Sequence, residues 1–431
     1  MLKINPLSTL YVGIDVSSKS NYVCALDFYK NKYINSSFAN NQPGAEELAL
    51  KILECLKEHP DITTIVAALE STSVYSIHIA NYLSSCEELM RFKRYVFVLN
   101  PKCTANYKKS YIGLGKSDPI DAFVIADYAR AGNIESEPWR GSQFLALKRL
   151  TRHRLHLVEC MTREKTYLVS NLYLKFSELQ MLEGDDQPFC DIYGATSSSV
   201  LMEYSSPEEI LDSSEEDLIA FLAKKTRNRI KDISKTADLL KKAARDSYRL
   251  DKALYEPLNV SIASSFNCIE TFKREIKVID NAIEKEIKGL NPNAFIILQS
   301  IDGIGPVFAG GIIAEIGDIT AFHSSDALAK YAGLTWKSNQ SGHFDGEDTP
   351  MIKAGNRYLR YYLGEAANSM RKHNVEYGAY YRKKYNEVPK HQHKRALALT
   401  SRKFVRLVYG LLARNQLYSG VSLDTSIKDS N

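Results

Sequence analysis

From residue 9 to about 135 the apolar positions alternate between two periods. "TLYVGIDVS" is an apolar run rich in β-branched and aromatic residues, and "NYVCALDFY" and the more polar "KYINSSFAN" follow it. Runs of this kind predict three strands, the first buried on both faces. "GAEELALKILECLKEH" places acids early, spaces Leu48, Ile52 and Leu56 four apart and ends before Pro60, which predicts a helix and its stop. "TTIVAALES" reads as another buried strand, "VYSIHIANYLSSC" as a helix and "RYVFVLNP" as a strand. In "GKSDPIDAFVIADYAR", Pro119 suits the first helical position and Asp118 before it suits the N-cap. The predicted order is βββαβαβ and then a helix, an α/β sheet whose first three strands form an antiparallel meander.

The pattern changes from about 140 to 290. "FLALKRLTRHRLHLVECMTREKTYLVSNLYL" has no glycine or proline and reads as one long helix, basic on one side. A polar, acidic stretch from Asp185 to Glu216 interrupts the helices, which resume and end in "REIKVIDNAIEKEIKGL". There Ile276, Ile279, Ile283 and Leu290 recur at heptad-like spacing. A helix packed on its own domain explains that stripe as well as a coiled-coil arm does, since only about two heptads are present. From 291 to about 415, "LQSIDGIGPVFAGGIIAEIG" reads as helix, tight glycine turn, helix. "SSDALAKYAGLT" reads as a short helix and "KSNQSGHFDGEDT" as a polar glycine loop. "AGNRYLRYYLGEAANSMRKH" and "HKRALALTSRKFVRLVYGLLAR" read as two basic helices. The expected domains are 1–137, 138–290 and 291–415, with a polar, disordered tail over 416–431.

Composition narrows this only a little. A chain of 431 residues, 44% hydrophobic and 25% charged, has room for two or three globular domains. Its formal charge of +5 permits a nucleic-acid partner without arguing for one. Seven single cysteines with no C-x-x-C pair speak against a disulfide framework or zinc ribbon and fit a reducing cytosol. No signal-peptide layout opens the chain, and its most apolar long window holds Asp302, Glu315 and several glycines. A soluble intracellular protein without a membrane partner is expected.

Four acids are candidates for chemistry. Asp15 lies inside an apolar strand, where an unpaired charge is expensive. Glu70 closes the strand "VAALE" at its C-terminal end, where α/β sheets place ligand sites. Asp118 and Asp121 share one face at the start of a helix. Singly, each reads equally as a turn, strand-end or helix-start acid. Together, in βββαβαβ-then-helix order, they match a ribonuclease H-like layout with an all-oxygen site for Mg²⁺ or Mn²⁺. Gly303, Gly305 and Pro306 form either a helix-hairpin-helix turn offering N–H groups to a DNA phosphate or a plain packing turn. Lys353, Arg357 and Arg360, with Tyr358, Tyr361 and Tyr362 among them, have a nucleic-acid-binding composition, against the alternative of a solvated basic face. Ser341 before Gly342 reads by spacing alone as a turn, though a serine on such a loop could act as a nucleophile.

The segments "YVGIDVSSKSNYVCALD", "ALESTSVY", "KSDPIDAFVIADYAR" and "LQSIDGIGPVFAGGIIAEIG…LAKYAGLTWKSNQSGHFDGE…IKAGNRYLRYYL" change the weighing. In order and spacing they resemble the DEDD transposases of insertion-sequence family one-ten, which also contains the Piv-type DNA invertases, from about residue 10 to 410. The resemblance implies a RuvC-like N-terminal domain with Asp15, Glu70, Asp118 and Asp121 as metal-binding catalytic acids. It implies next a helical, coiled-coil dimerisation segment, then a C-terminal transposase domain whose nucleophile falls on Ser341. It also implies double-stranded DNA at element ends and target, a bridge RNA guiding the reaction, and a homodimer or homotetramer in the bacterial or archaeal cytosol. Ser73 stands where the family usually has glycine, and Ala354 replaces one basic residue. A Piv-like invertase without guide RNA and a RuvC-like junction nuclease using metal-activated water are the alternatives.

Overall fold

The computed structural model describes residues 4–71, 74–134, 138–139, 141–226, 232–336, 340–341, 344–345 and 350–420. The chain divides into two compact units. One comprises Met1–Ala146, Ile316–Lys330 and Val405–Arg414, the other Leu147–Glu315, Tyr331–Phe404 and Asn415–Asn431.

In the first unit the apolar runs form β1 (Thr9–Val16), β2 (Ser20–Leu26), β3 (Lys32–Ala39), α1 (Gln42–Glu58), β4 (Thr64–Glu70), α2 (Tyr75–Ser85) and β5 (Lys93–Leu99). Helices α3 (Pro101–Lys108) and α4 (Asp118–Arg130) follow. The sheet order is β3-β2-β1-β4-β5. β1, β2 and β3 pair antiparallel, whereas β4 is parallel to both β1 and β5. The element order through β5 and the antiparallel meander are those the pattern predicts and those expected of a ribonuclease H-like domain, whereas α3, between β5 and α4, is a helix the pattern reading did not separate.

Period-2 alternation divides β1 between two cores. Leu10, Val12, Ile14 and Val16 pack with Leu48, Ile52, Ile79 and Leu83 of α1 and α2. Tyr11 faces the other core, with Val66, Ala68 and Phe97 of the sheet and Ala122, Ile125, Ala126 and Ala129 of α4. Gly13 lies on that second face, and α4 rests directly on it. A Cβ there would stand 2.2 Å from the Ala122 carbonyl oxygen and 2.3 Å from the Ala126 nitrogen. Only glycine allows so close a helix-to-strand approach.

α4 begins one residue earlier than its proline suggests. The Ser117 carbonyl accepts from the backbone N–H of Ile120 and Asp121, so Ser117 is the N-cap and Asp118 is already helical. Asp118 therefore has no capping role.

The second unit is mostly helical. It takes in most of α5 (Ser142–Lys175), then α6 (Ala195–Glu203), α7 (Pro207–Asp212), α8 (Glu215–Thr226), α9 (Ile233–Asp246) and α10 (Lys252–Leu290). Leu168 and Leu172 of α5 and Phe176 just after it pack with Leu201, Leu222, Leu240, Ile262 and Phe266 in one core. Further along the chain come α11 (Pro292–Gln299), α12 (Pro306–Ile316) and α13 (Ser325–Ala332), the last mostly part of the first unit, and then four two-residue strands. These are β6 (Thr335–Trp336), β7 (Gln340–Ser341), β8 (Phe344–Asp345) and β9 (Met351–Ile352). Helices α14 (Arg357–His373), α15 (Val375–Asn386) and α16 (Gln392–Arg414) close the fold, with α15 a helix the pattern reading did not separate.

The stripe on α10 is used within the chain. Ile276, Ile283 and Ile287 are buried, and Arg154 of α5 pairs with Asp280 between them. No helix among the described residues is long and apolar enough to cross a membrane. Residues 421–431, most of the expected tail, lie outside the described residues, as does Ser73.

Candidate active site

The four acids converge on the carboxyl edge of the first unit's sheet. The parallel register pairs Ile14 with Leu69, so Asp15 and Glu70 are the next residues side by side on β1 and β4. Asp15 shares its face of β1 with Gly13, and Glu70 shares its face of β4 with Val66 and Ala68. Both acids therefore point to the side that α4 covers. The seat at Gly13 sets the height of α4 and brings Asp118 and Asp121, in its first turn, beside Asp15.

The electrostatics carry the same message. Burial, then the charges of Asp121, Asp118 and Glu70, push the Asp15 carboxyl up to about 6, while Lys108 opposes the rise. Two carboxylates have protein partners on α3: the Thr104 hydroxyl donates to Glu70, and the Lys108 ammonium donates to Asp121. Among the described residues, no group of three or more His, Cys, Asp or Glu side chains is gathered closely enough to hold an ion. The donor set nonetheless fits a divalent cation. Every candidate donor is an oxygen, which suits Mg²⁺ or Mn²⁺, and a cation would relieve the repulsion that raises Asp15.

A further acid escaped the sequence reading. Asp127 of α4 is fully buried. It accepts from the Tyr107 hydroxyl at 2.8 Å, from Arg130 Nε at 2.6 Å and from the Tyr111 hydroxyl, with Lys30 at 3.2 Å. Burial alone would push its carboxyl up, but the hydrogen bonds from Tyr111, Arg130, Tyr107 and Lys30 outweigh this and hold it below the usual range. Asp127 thus ties α3 and the residues after it to α4. The signal was present: a charge inside the apolar run "FVIADYA" is the same anomaly that singled out Asp15. Gly13, a glycine in mid-strand, was legible for the same reason.

In the second unit the predicted residues have distinct surroundings. Gly303 sits at the α11–α12 turn with φ +84°, and its carbonyl accepts from the Ser369 hydroxyl at 2.7 Å. Gly305 has open space around it. Arg360 donates to the carbonyls of Ala332 and Lys353, which ties α14 to the strand and helix ends beside it. Arg357 pairs with Glu159 at 2.6 Å on the surface. Asn356, which the reading passed over, accepts from the backbone N–H of Tyr358 and Leu359 as the cap of α14. Its amide also donates at 2.7 Å to Glu315, a buried acid that Arg152 grips at 2.7 and 2.9 Å.

Ser341 lies on β7, paired with β8 in the register Ser341↔Phe344. Its side chain, Gly342 and His343 lie outside the described residues. β6 and β9 pair at the neck of this loop. Beside the neck is a cavity of about 420 Å³ lined by Trp336, Met351, Lys353, Lys394, Arg395 and Leu399. An aromatic ring beside three cations is a surface that suits bases and phosphates.

The sheet order and its converging acids point to the DEDD class of DNA-recombining enzymes, and comparison with known proteins agrees. Residues 12–177 match the model of the IS110-group DEDD transposases, described as "Transposase". Residues 296–382 match a second model, "Transposase IS116/IS110/IS902 family". The 42 kDa protein of insertion element IS900 from Mycobacterium paratuberculosis is 24% identical over 412 residues, 95% of this chain and 97% of that one. The 44.8 kDa protein of insertion element IS116 from Streptomyces clavuligerus is 24% identical over 422 residues, covering 95% and 96%. The pilin gene-inverting protein of Moraxella lacunata is 27% identical over 160 residues, 37% of this chain and 46% of that one. The chain belongs to the IS110 family of DEDD transposases.

Proposed function

We propose that this transposase excises and inserts a mobile element by cutting DNA and rejoining it through a phosphoserine on Ser341. The observation that supports this reading is the convergence of Asp15, Glu70, Asp118 and Asp121, the last three of which act by their charge on Asp15 at one sheet edge. Mg²⁺ or Mn²⁺ held by these acids would neutralise and polarise the scissile phosphate. Ser341 loses its hydroxyl proton to solvent, its Oγ bonds to phosphorus, the P–O3′ bond breaks and the 3′ oxygen takes up a proton. The enzyme–phosphate ester keeps the bond energy, so a different 3′-hydroxyl reverses the step on a new strand without ATP. Family resemblance extends the proposal to a bridge RNA pairing with donor and target DNA. It also assigns the acids and the serine of one active site to different subunits of a dimer or tetramer.

Nucleic-acid contact falls in this reading to the turn at Gly303 and Gly305, to Lys353 and Arg357, and to the cavity beside Trp336. Arg360 works through the loop end it ties down. The pilin gene-inverting relative favours a second reading, DNA inversion by the same residues without a guide RNA.

The test incubates the protein with Mg²⁺, element-end DNA and its copurifying RNA, and maps any covalent protein–DNA adduct by mass spectrometry. An adduct on Ser341, lost in Ser341→Ala and in Asp15→Asn, is expected. Cleaved DNA without an adduct means a water-using nuclease, and strand exchange by Ser341→Ala refutes the serine step. Exchange by protein freed of RNA selects the invertase reading.

A further inference from the structure

Helix α3 is bound to the acid site more than to the core. Thr104 is its buried residue, and Lys102, Cys103 and Ala105 face solvent. Thr104, Tyr107 and Lys108 stand three and four apart, so one helical face carries all three. Thr104 donates to Glu70, Tyr107 to Asp127 and Lys108 to Asp121. The connection from Ile112 to Ser117 is exposed and contains Gly113 and Gly115, so the Lys108 side chain has room to leave Asp121 while Tyr107 keeps α3 on α4. Lys108 and Asp121 are both about three-quarters covered, with side-chain exposures of 23% and 25%. Lys108 also acts on Asp15 against the charges of the other acids.

We propose that Lys108 is a built-in counter-cation of the acid site, displaced when a divalent cation enters. This rests on reading the four acids as the metal site. In the metal-free protein the ammonium of Lys108 supplies the positive charge that the carboxylates need. A divalent cation would compete with it for Asp121, and the Lys108 side chain swings away as the ion pair breaks. A DNA phosphate brought to the sheet edge attracts the released ammonium. Metal and DNA therefore bind cooperatively, each weakening the contact that opposes the other, and the coupling is reciprocal. Without DNA, Lys108 keeps metal affinity low.

The test measures Mn²⁺ binding to the full chain by electron paramagnetic resonance and calorimetry, with and without a DNA duplex. Lys108→Gln should bind Mn²⁺ about tenfold more tightly than the unaltered protein without DNA, the size of one charge-assisted contact to a carboxylate. DNA should tighten Mn²⁺ binding to the unaltered protein and leave Lys108→Gln nearly unchanged. Lys108→Arg, which keeps the charge, should behave as the unaltered protein does. Equal or weaker Mn²⁺ binding by Lys108→Gln overturns the counter-cation. If Asp15→Asn still abolishes Mn²⁺ binding in that case, the metal site itself stands. No Mn²⁺ binding by any form, with or without DNA, overturns both.

Discussion

Replacing Gly13 by alanine tests how the active site is held together. The new Cβ would lie 2.2 Å from the Ala122 carbonyl oxygen and 2.3 Å from the Ala126 nitrogen, both backbone atoms of α4. Non-bonded atoms settle near 3.5 Å, so α4 must retreat from β1 by about 1 Å. Neither neighbour is the end of a flexible side chain, so the strain cannot be absorbed locally. Overpacking of this kind costs about 2–3 kcal/mol. In a unit of this size that lowers the melting temperature by roughly 5–10 °C. Asp118 and Asp121 ride on α4 and Asp15 on β1, so the same retreat separates the acids. A misplacement of about 1 Å can slow a positioned reaction roughly a hundredfold. The assay pairs thermal unfolding with Mg²⁺-dependent cleavage of element-end DNA. Gly115→Ala is the control, since nothing lies within 4 Å of the added atom. If Gly13→Ala melts and cleaves as the unaltered protein does, the argument that this seat positions the acids is wrong.

Two further outcomes are expected. The folded Asp15 carboxyl titrates at about 6 against a usual 3.8, so the folded state binds the proton more tightly than the unfolded one between those values. Stability without divalent ions should therefore fall as pH rises from about 4 to 6, and Asp15→Asn should remove the fall. The variant gains about 1 kcal/mol above pH 6, once screening of a half-exposed group is allowed for, and nothing below pH 4; urea melts across the range would show it. Asn356→Ala removes the cap of α14 and one of the partners of buried Glu315, so it should cost about 2–4 kcal/mol in urea unfolding; a loss under 0.5 kcal/mol would mean that neither contact matters.

The first unit was legible because each strand carries its own signal. β1 and β4 are apolar on both faces, α1 repeats every three to four residues, and a charge inside such a run announces itself. Asp15 was singled out that way, Glu70 by its place at the end of a buried strand, and Asp118 and Asp121 by their place at the start of a helix. The second unit was read less well. The α10 stripe left a coiled coil and an internal packing face equally open, and only the burial of Ile276, Ile283 and Ile287 within the chain shows how it is used here. Arg360 was read as a nucleic-acid contact by composition, yet its guanidinium ties backbone carbonyls. Composition reports that a cation is present and says nothing about its partner.

The sequence by itself determined the order of the first unit's strands, their meander and the charge that breaks the apolar run of β1, because hydrophobic period and charge in an apolar setting are local properties. Only the tertiary structure decided which groups face one another. Asp121 meets Lys108 thirteen residues away, Asn356 meets Glu315 across forty-one, and Arg152 reaches Glu315 across one hundred and sixty-three. Such pairings depend on how closely two backbones approach. Gly13 sets that approach for the acid site, and its effect is felt on another element, where local pattern cannot register it.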